Sequence, residues 1–199
     1  LKDFLRSRSE KSGIVYCLTR KTVDEVCERL CDAGYSATRY HAGLTQEERR
    51  ENQDRFQADD ARIMVATNAF GMGIDKSNVA YVLHYNMPKN MESYYQEAGR
   101  AGRDGSPAEC VLFYGGQDVF TNQFFIEKER ENEELDEETL RKVRESERNR
   151  LRKMVAYCHT TDCLRAAILG YFGDDAPSAC GHCSNCLRDF EQEDITIPA

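Results

Sequence analysis

Apolar and polar positions alternate with two different periods along the first 114 residues, and the switching between them predicts the elements. Short apolar runs bounded by turn residues read as buried strands, and apolar positions three and four apart read as helices. Residues 1–8 predict a short amphipathic helix, broken at Ser12-Gly13. Gly13-Ile14-Val15-Tyr16-Cys17-Leu18 reads as a buried strand. Thr22-x-x-Glu25 reads as a capping box opening a helix that runs to Ala33 and closes at Gly34. Residues 37–40 predict a strand, and Thr45-x-x-Glu48 opens a second helix reaching Phe56. Strands follow at 62–67 and 79–85, then a helix at 91–99 and a strand at 110–114.

Strands that alternate with helices imply a parallel sheet joined by right-handed crossovers, which places the fold in the α/β class. The character changes after Gly115-Gly116: residues 117–172 read as helices only, rich in charge, and a cysteine module follows. The expected division is an α/β lobe at 1–116, a helical cysteine-bearing unit at 117–190 and a tail at 191–199. No internal repeat or low-complexity tract interrupts it.

Charge refines this division. Residues 1–114 carry 16 basic and 17 acidic groups, a net of −1, whereas residues 115–199 carry 11 and 18, a net of −7. That balance argues against a large dedicated nucleic-acid surface, yet leaves room for a local phosphate-contacting strip on the nearly neutral lobe. Residues 127–147 hold most of the acidic excess and read as a solvated helical face.

Near the C-terminus Cys180, Cys183 and Cys186 form C-x2-C-x2-C, with Cys163 upstream. Four thiolates at that spacing can close a tetrahedral shell around Zn2+. A disulfide set or merely buried cysteines are the alternatives. The sequence shows no signal peptide and no twenty-residue apolar span, so no membrane segment is expected and a reducing compartment is. There the spacing favours metal. His182 lies between two ligands and would point away from the ion. Cys158 is the rival for the fourth position, but its helix carries Tyr157 and Val155 on a core-facing pattern. Cys17, Cys27, Cys31 and Cys110, with Cys158, read as small core hydrophobes.

The most informative stretch is Tyr94-Tyr95-Gln96-Glu97-Ala98-Gly99-Arg100-Ala101-Gly102-Arg103-Asp104-Gly105. Arg100 and Arg103 are three apart, which on a helical turn would put both on one face. Each follows a glycine, whose missing side chain lets another molecule come close. A guanidinium offers a planar fork of donors suited to phosphate oxygens. The pair reads as a phosphate clamp of the arginine-finger type, the alternative being a glycine-rich turn with two solvated arginines.

In a parallel α/β sheet ligands bind beyond the carboxyl ends of the strands. Four loops expected there carry suitable groups: Leu18-Thr19-Arg20-Lys21, Tyr40-His41-Ala42-Gly43, residues 67–76 beginning Thr67-Asn68, and Asn86-Met87-Pro88-Lys89. Hydroxyls, amides and helix N-termini on one edge suit a nucleic-acid backbone held without reading its sequence.

Together, Gly13 to Arg20, Tyr40 to Leu44, Ala66 to Lys76 and Tyr94 to Gly105 resemble the second, RecA-like motor lobe of a RecQ helicase. The Cys163, Cys180, Cys183 and Cys186 spacing is similar to the zinc subdomain that follows that lobe in the same family. The resemblance runs from about Gly13 to Cys186. It implies an ATP-dependent DNA helicase that unwinds with 3′-to-5′ polarity in recombination and repair, in the bacterial cytoplasm at the nucleoid or in the nucleus. Gln96, Arg100 and Arg103 match the sixth helicase motif, with Arg103 at the finger position facing ATP on the first lobe. Asp75 matches an acid of the fifth motif near the nucleotide. Thr19, Arg20, His41, Thr67 and Asn68 match the edge that tracks DNA at a junction of single strand and duplex. A non-enzymatic binding scaffold and the lobe of an RNA helicase from the same superfamily are the other readings.

No G-x-x-x-x-G-K-[ST] occurs, and no apolar strand ends in a Mg2+-binding acidic pair; Asp24-Glu25 falls inside a helix. The phosphate cradle and the ligands of Mg2+ are therefore expected from an N-terminal motor lobe of a longer parent chain, which leaves this piece inactive alone.

Overall fold

The computed structural model describes residues 1–71, 76–128 and 136–188. Its sheet has five strands, all parallel: β1 (Ser12–Tyr16), β2 (Ala37–Tyr40), β3 (Ile63–Ala66), β4 (Val79–His84) and β5 (Glu109–Leu112), in the order β2-β3-β1-β4-β5. The central strands β1, β3 and β4 are buried on both faces, which is why they read as unbroken apolar runs. The edge strands β2 and β5 are more open.

Alternate residues of each strand feed opposite cores. On one face Val15, Val65 and Leu83 pack with Leu5 of α1 (Lys2–Arg6) and with Val23, Val26 and Leu30 of α2 (Arg20–Asp32). On the other, Ile14, Met64 and Val82 pack with Phe56 of α3 (Gln46–Gln57) and with Phe70. The box at Thr45 forms as expected: its hydroxyl accepts the Glu48 N–H, and the Glu48 carboxylate accepts the Thr45 N–H at 2.8 Å. The expected box at Thr22 does not form. Helix α2 starts one turn earlier, with Thr19 as its cap, and the Thr19 hydroxyl oxygen accepts the Thr22 N–H at 3.1 Å.

A third core joins the sheet to the C-terminal unit. Helix α4 (Met91–Ala98) contributes Met91 and Tyr94, α5 (Gly116–Lys128) contributes Ile126, and α6 (Glu137–His159) contributes Leu151, Met154 and Tyr157. Helix α7 (Leu164–Phe172) lies against it, and the short α8 (Ser184–Leu187) closes the described chain. No described helix is long and apolar enough to cross a membrane. The expected tail at 191–199 and Asp75 lie outside the described residues.

Candidate functional site

The arginine pair is not helical. Helix α4 stops at Ala98, and Arg100 and Arg103 sit on the turns that follow, where Gly102 takes φ +67° and Gly105 φ +81°. Those turns are hung on the sheet by the Gly102 N–H, which donates to Val79 O at 2.9 Å. Burial raises the pKa of the Tyr16 hydroxyl, and the positive charge of Arg100, with a smaller effect from Arg103, acts to lower it. The Arg100 guanidinium fills the space where Gly71 lacks a side chain: a Cβ there would stand 2.6 Å from Arg100 Nη2. Arg100 Nε is buried with no hydrogen-bond partner. Gln96 is exposed on α4, and Arg103 is exposed on its turn.

The four loops all emerge at the carboxyl edge of the sheet, as the parallel order requires. Thr19 caps α2, and Arg20 begins that helix at the surface. His41 is buried and turned inward: its Nε2 lies 3.1 Å from Asp24 Oδ1, and its Nδ1 accepts the Gly43 N–H at 3.1 Å. Thr67 is buried, and its N–H donates to Tyr40 O at 3.1 Å, tying β3 to β2. Asn68 next to it is exposed.

Strands β1 and β4 are neighbours, and a cleft of about 330 Å3 opens beyond their ends. Leu18, Asn68, Asn86, Lys89, Phe125 and Lys128 are among the residues lining it. Asn86 holds the cleft's two sides together: its Oδ1 accepts the Leu18 N–H at 3.2 Å, and its Nδ2 donates to Asp118 at 3.0 Å.

The cysteine module assembles as the spacing indicated. The Sγ atoms of Cys163, Cys180, Cys183 and Cys186 all lie within 4.8 Å of one another. Cys180 and Cys186 are 3.9 Å apart, and Cys163 and Cys183 are 4.0 Å apart. A tetrahedral shell with Zn–S bonds of about 2.3 Å has edges near 3.8 Å, so the donor set fits zinc. The N–H groups of His182 and Cys183 donate to Cys180 Sγ at 3.4 and 3.3 Å, in a turn that Gly181 permits with φ +72°. The backbone N–H of Ala166 leads in lowering the Cys163 thiol. Burial pushes the Cys183 thiol up, but the N–H groups of Cys186 and Leu164 outweigh it and bring it to about 6. Such donors favour the thiolate that a metal needs.

None of the nine cysteines is in a disulfide. Cys158 stands outside the cluster, and burial raises it to about 12. Cys17 and Cys27 are buried as expected, but Cys31, near the C-terminal end of α2, and Cys110, on edge strand β5, are exposed.

Sequence reasoning missed Asn185, whose Nδ2 donates to Thr160 O and Asp162 O, each at 2.8 Å, and so pins the triplet to the segment carrying Cys163. It also missed the contact between buried His84 and half-buried Glu97, because the two residues meet only in the fold.

Two family models match the chain. Residues 1–105 match the helicase conserved C-terminal domain family, and residues 116–187 match the RecQ zinc-binding family. The ATP-dependent DNA helicase RecQ of Bacillus subtilis is 49% identical over 199 residues, covering 100% of this chain and 32% of that protein. The RecQ-like DNA helicase BLM of Xenopus laevis is 39% identical over 196 residues, covering 93% of this chain and 14% of that protein. The chain thus spans about a third or less of these relatives' length. Among solved structures, a DEAD box protein from Methanococcus jannaschii superposes with a TM-score of 0.53 at 28% identity, covering 64% of this chain and 36% of the other. The helicase Lhr of Mycobacterium smegmatis, bound to ssDNA and AMP-PNP, shares the fold with a TM-score of 0.52 at 24% identity, covering 64% and 18%.

Proposed function

The chain belongs to the RecQ family of helicases, and from that premise we propose that it works as the second motor lobe and zinc subdomain of an ATP-dependent 3′-to-5′ DNA helicase acting in recombination and repair. The observation that carries this reading is Arg100 seated against Gly71, with Arg103 exposed on the turn that follows, on a lobe whose sequence holds no phosphate-cradling loop. Such a pair completes a nucleotide site shared with another lobe. Arg103 serves as the finger, and Arg100 supports it. As negative charge spreads over the transferred phosphoryl group, an arginine finger contributes roughly 10³ to 10⁵ in rate. Gln96 takes part in nucleotide binding, a role the family resemblance also gives to Asp75, while ATP and Mg2+ are held mainly by the N-terminal lobe.

The carboxyl edge of the sheet tracks DNA at a junction of single strand and duplex. Thr19, Arg20 and Asn68 present the contacting groups, while His41 and Thr67 shape the loops that carry them. Contacts of this kind position a backbone without specifying its sequence. The zinc unit is structural, because a closed four-sulfur shell keeps no open position for a water nucleophile. The division at residue 116 separates these two roles, and the enzyme works on chromosomal DNA in the nucleoid or the nucleus.

Reconstitution tests the reading. The chain alone should hydrolyse no ATP, and addition of a separately produced N-terminal lobe should restore DNA-stimulated hydrolysis. Hydrolysis by the chain alone, or none by the well-folded pair at any concentration, would contradict it.

A further inference from the structure

Arg100 and Arg103 occupy glycine-flanked turns, so their positions depend on whatever holds the ends of that segment. Strand β4 holds both. At its start Val79 O accepts the Gly102 N–H at 2.9 Å. At its end His84 Nε2 lies 2.8 Å from Glu97 Oε2, and the Glu97 carbonyl in turn accepts the Arg100 N–H at 3.2 Å. Glu97 sits in the last turn of an eight-residue helix whose following residue, Gly99, places no side chain against the sheet. Its carboxylate therefore ties the last turn before the arginines to the sheet.

The pair is built for rigidity. The side chains of His84 and Glu97 are 1% and 12% exposed. The His84 ring stacks on Tyr16 at 5.5 Å and 21° and packs against Tyr94 at 5.0 Å. His84 Nδ1 is buried with no partner, which leaves the contact with Glu97 to fix the ring's polar edge. Tyr16 also donates from its hydroxyl to Phe70 O at 2.9 Å, so the same stack borders the loop against which Arg100 rests.

Resting on the reading of Arg103 as the finger, we propose that the His84–Glu97 pair is a positioning contact for ATP hydrolysis: it fixes the end of α4 from which the arginine-bearing turns depart. Neither residue touches nucleotide in this account. Both act through the geometry of Arg100 and Arg103. Transition-state stabilisation is steep in distance, and a displacement of about 1 Å can cost about 100-fold in rate.

The test uses the full-length helicase carrying Glu97→Ala, Glu97→Gln or His84→Phe, with Arg103→Ala alongside. Turnover and KM for ATP at saturating single-stranded DNA, affinity for ADP, affinity for ADP–aluminium fluoride and melting temperature are measured for each. His84→Phe keeps the ring between Tyr16 and Tyr94, so it reports on the contact even where Glu97→Ala perturbs folding. Glu97→Ala and His84→Phe should lower turnover about 10- to 100-fold and weaken ADP–aluminium fluoride in parallel, with KM and ADP affinity within about twofold of wild type. Glu97→Gln, whose amide can bond Nε2 in either tautomer, should keep most of the turnover.

Three results would overturn the proposal: wild-type turnover in Glu97→Ala and His84→Phe, a Glu97→Gln variant as impaired as Glu97→Ala, or losses of ADP affinity that follow melting temperature. If Arg103→Ala is inactive while Glu97→Ala and His84→Phe are fully active, the positioning role fails and the finger reading stands. Wild-type turnover in Arg103→Ala would overturn the finger reading and this proposal with it.

Discussion

Asp118 on α5 accepts hydrogen bonds from Asn86 Nδ2 and from the Met87 N–H, each at 3.0 Å, and so fastens the first helix of the C-terminal unit to the loop after β4. One turn on, Asn122 Nδ2 donates to Met87 O at 3.1 Å. Both side chains are buried. Asp118→Ala would strand the buried Met87 N–H and release the half-buried Asn86 amide, and should cost about 1–3 kcal/mol. Urea unfolding should shift as one transition shared by lobe and helices. A loss confined to the helical unit would show that the third core does not join the two.

Metal removal should act more locally. Chelation of zinc, or Cys180→Ala, is expected to remove hydrogen-exchange protection from residues 160–188 while β1, β3 and β4 keep theirs. Asn185→Ala leaves all four sulfurs in place but frees the triplet from Thr160 and Asp162. Zinc affinity should then fall about 10-fold, the lower end of what outer supports of a metal site contribute. Undiminished affinity would mean that the four cysteines hold their geometry without that amide.

Acid should weaken the fold through Asp59. Hydrogen bonds from Lys76 and then Ser12 hold its carboxyl down to about 2, from an ordinary value of 3.8. The folded value lies below the unfolded one, so the pair contributes fully above about 4 and loses its contribution as pH falls toward 2. Lys76 is the buried partner, its side chain 3% exposed and 2.8 Å from Asp59 Oδ1. The melting temperature should drop between about pH 4 and 2, and Asp59→Asn should lower it at neutral pH while flattening that drop. An equally steep acid drop in Asp59→Asn would assign it to other carboxylates.

At Gly71 an added methyl crowds only the guanidinium of a flexible side chain, Arg100 Nη2 at 2.6 Å and Cζ at 3.3 Å, and meets Asn68 O at an ordinary 3.6 Å. Gly71→Ala should therefore change stability by less than about 1 kcal/mol, because Arg100 can swing away. Turnover of ATP in the full-length protein should nevertheless fall about 10-fold as the guanidinium leaves its place. Unchanged turnover would separate the placement of Arg100 from catalysis.

Much of this was legible in the sequence, for local reasons. Strands β1, β3 and β4 are buried on both faces, so their residues run apolar without alternation. The zinc ligands announced themselves because a metal shell imposes short fixed spacings on the chain. Helix starts were less secure: the box read at Thr22-x-x-Glu25 does not form, and Thr19 caps α2 instead. The spacing of Arg100 and Arg103 suits a helix, yet Gly102 adopts a left-handed conformation and ends that possibility. Contacts between residues far apart in the chain left no trace in any period, and these include Asn86 with Asp118, His84 with Glu97, and Asn185 with Thr160.

The central claim is that Arg103 completes an ATP site built mainly by another lobe. It is tested most directly by steady-state ATP hydrolysis of the full-length protein carrying Arg103→Ala, with nucleotide affinity measured in parallel. Turnover should fall by roughly 10³-fold or more while nucleotide binding stays close to wild type. Wild-type turnover in that variant would contradict the account.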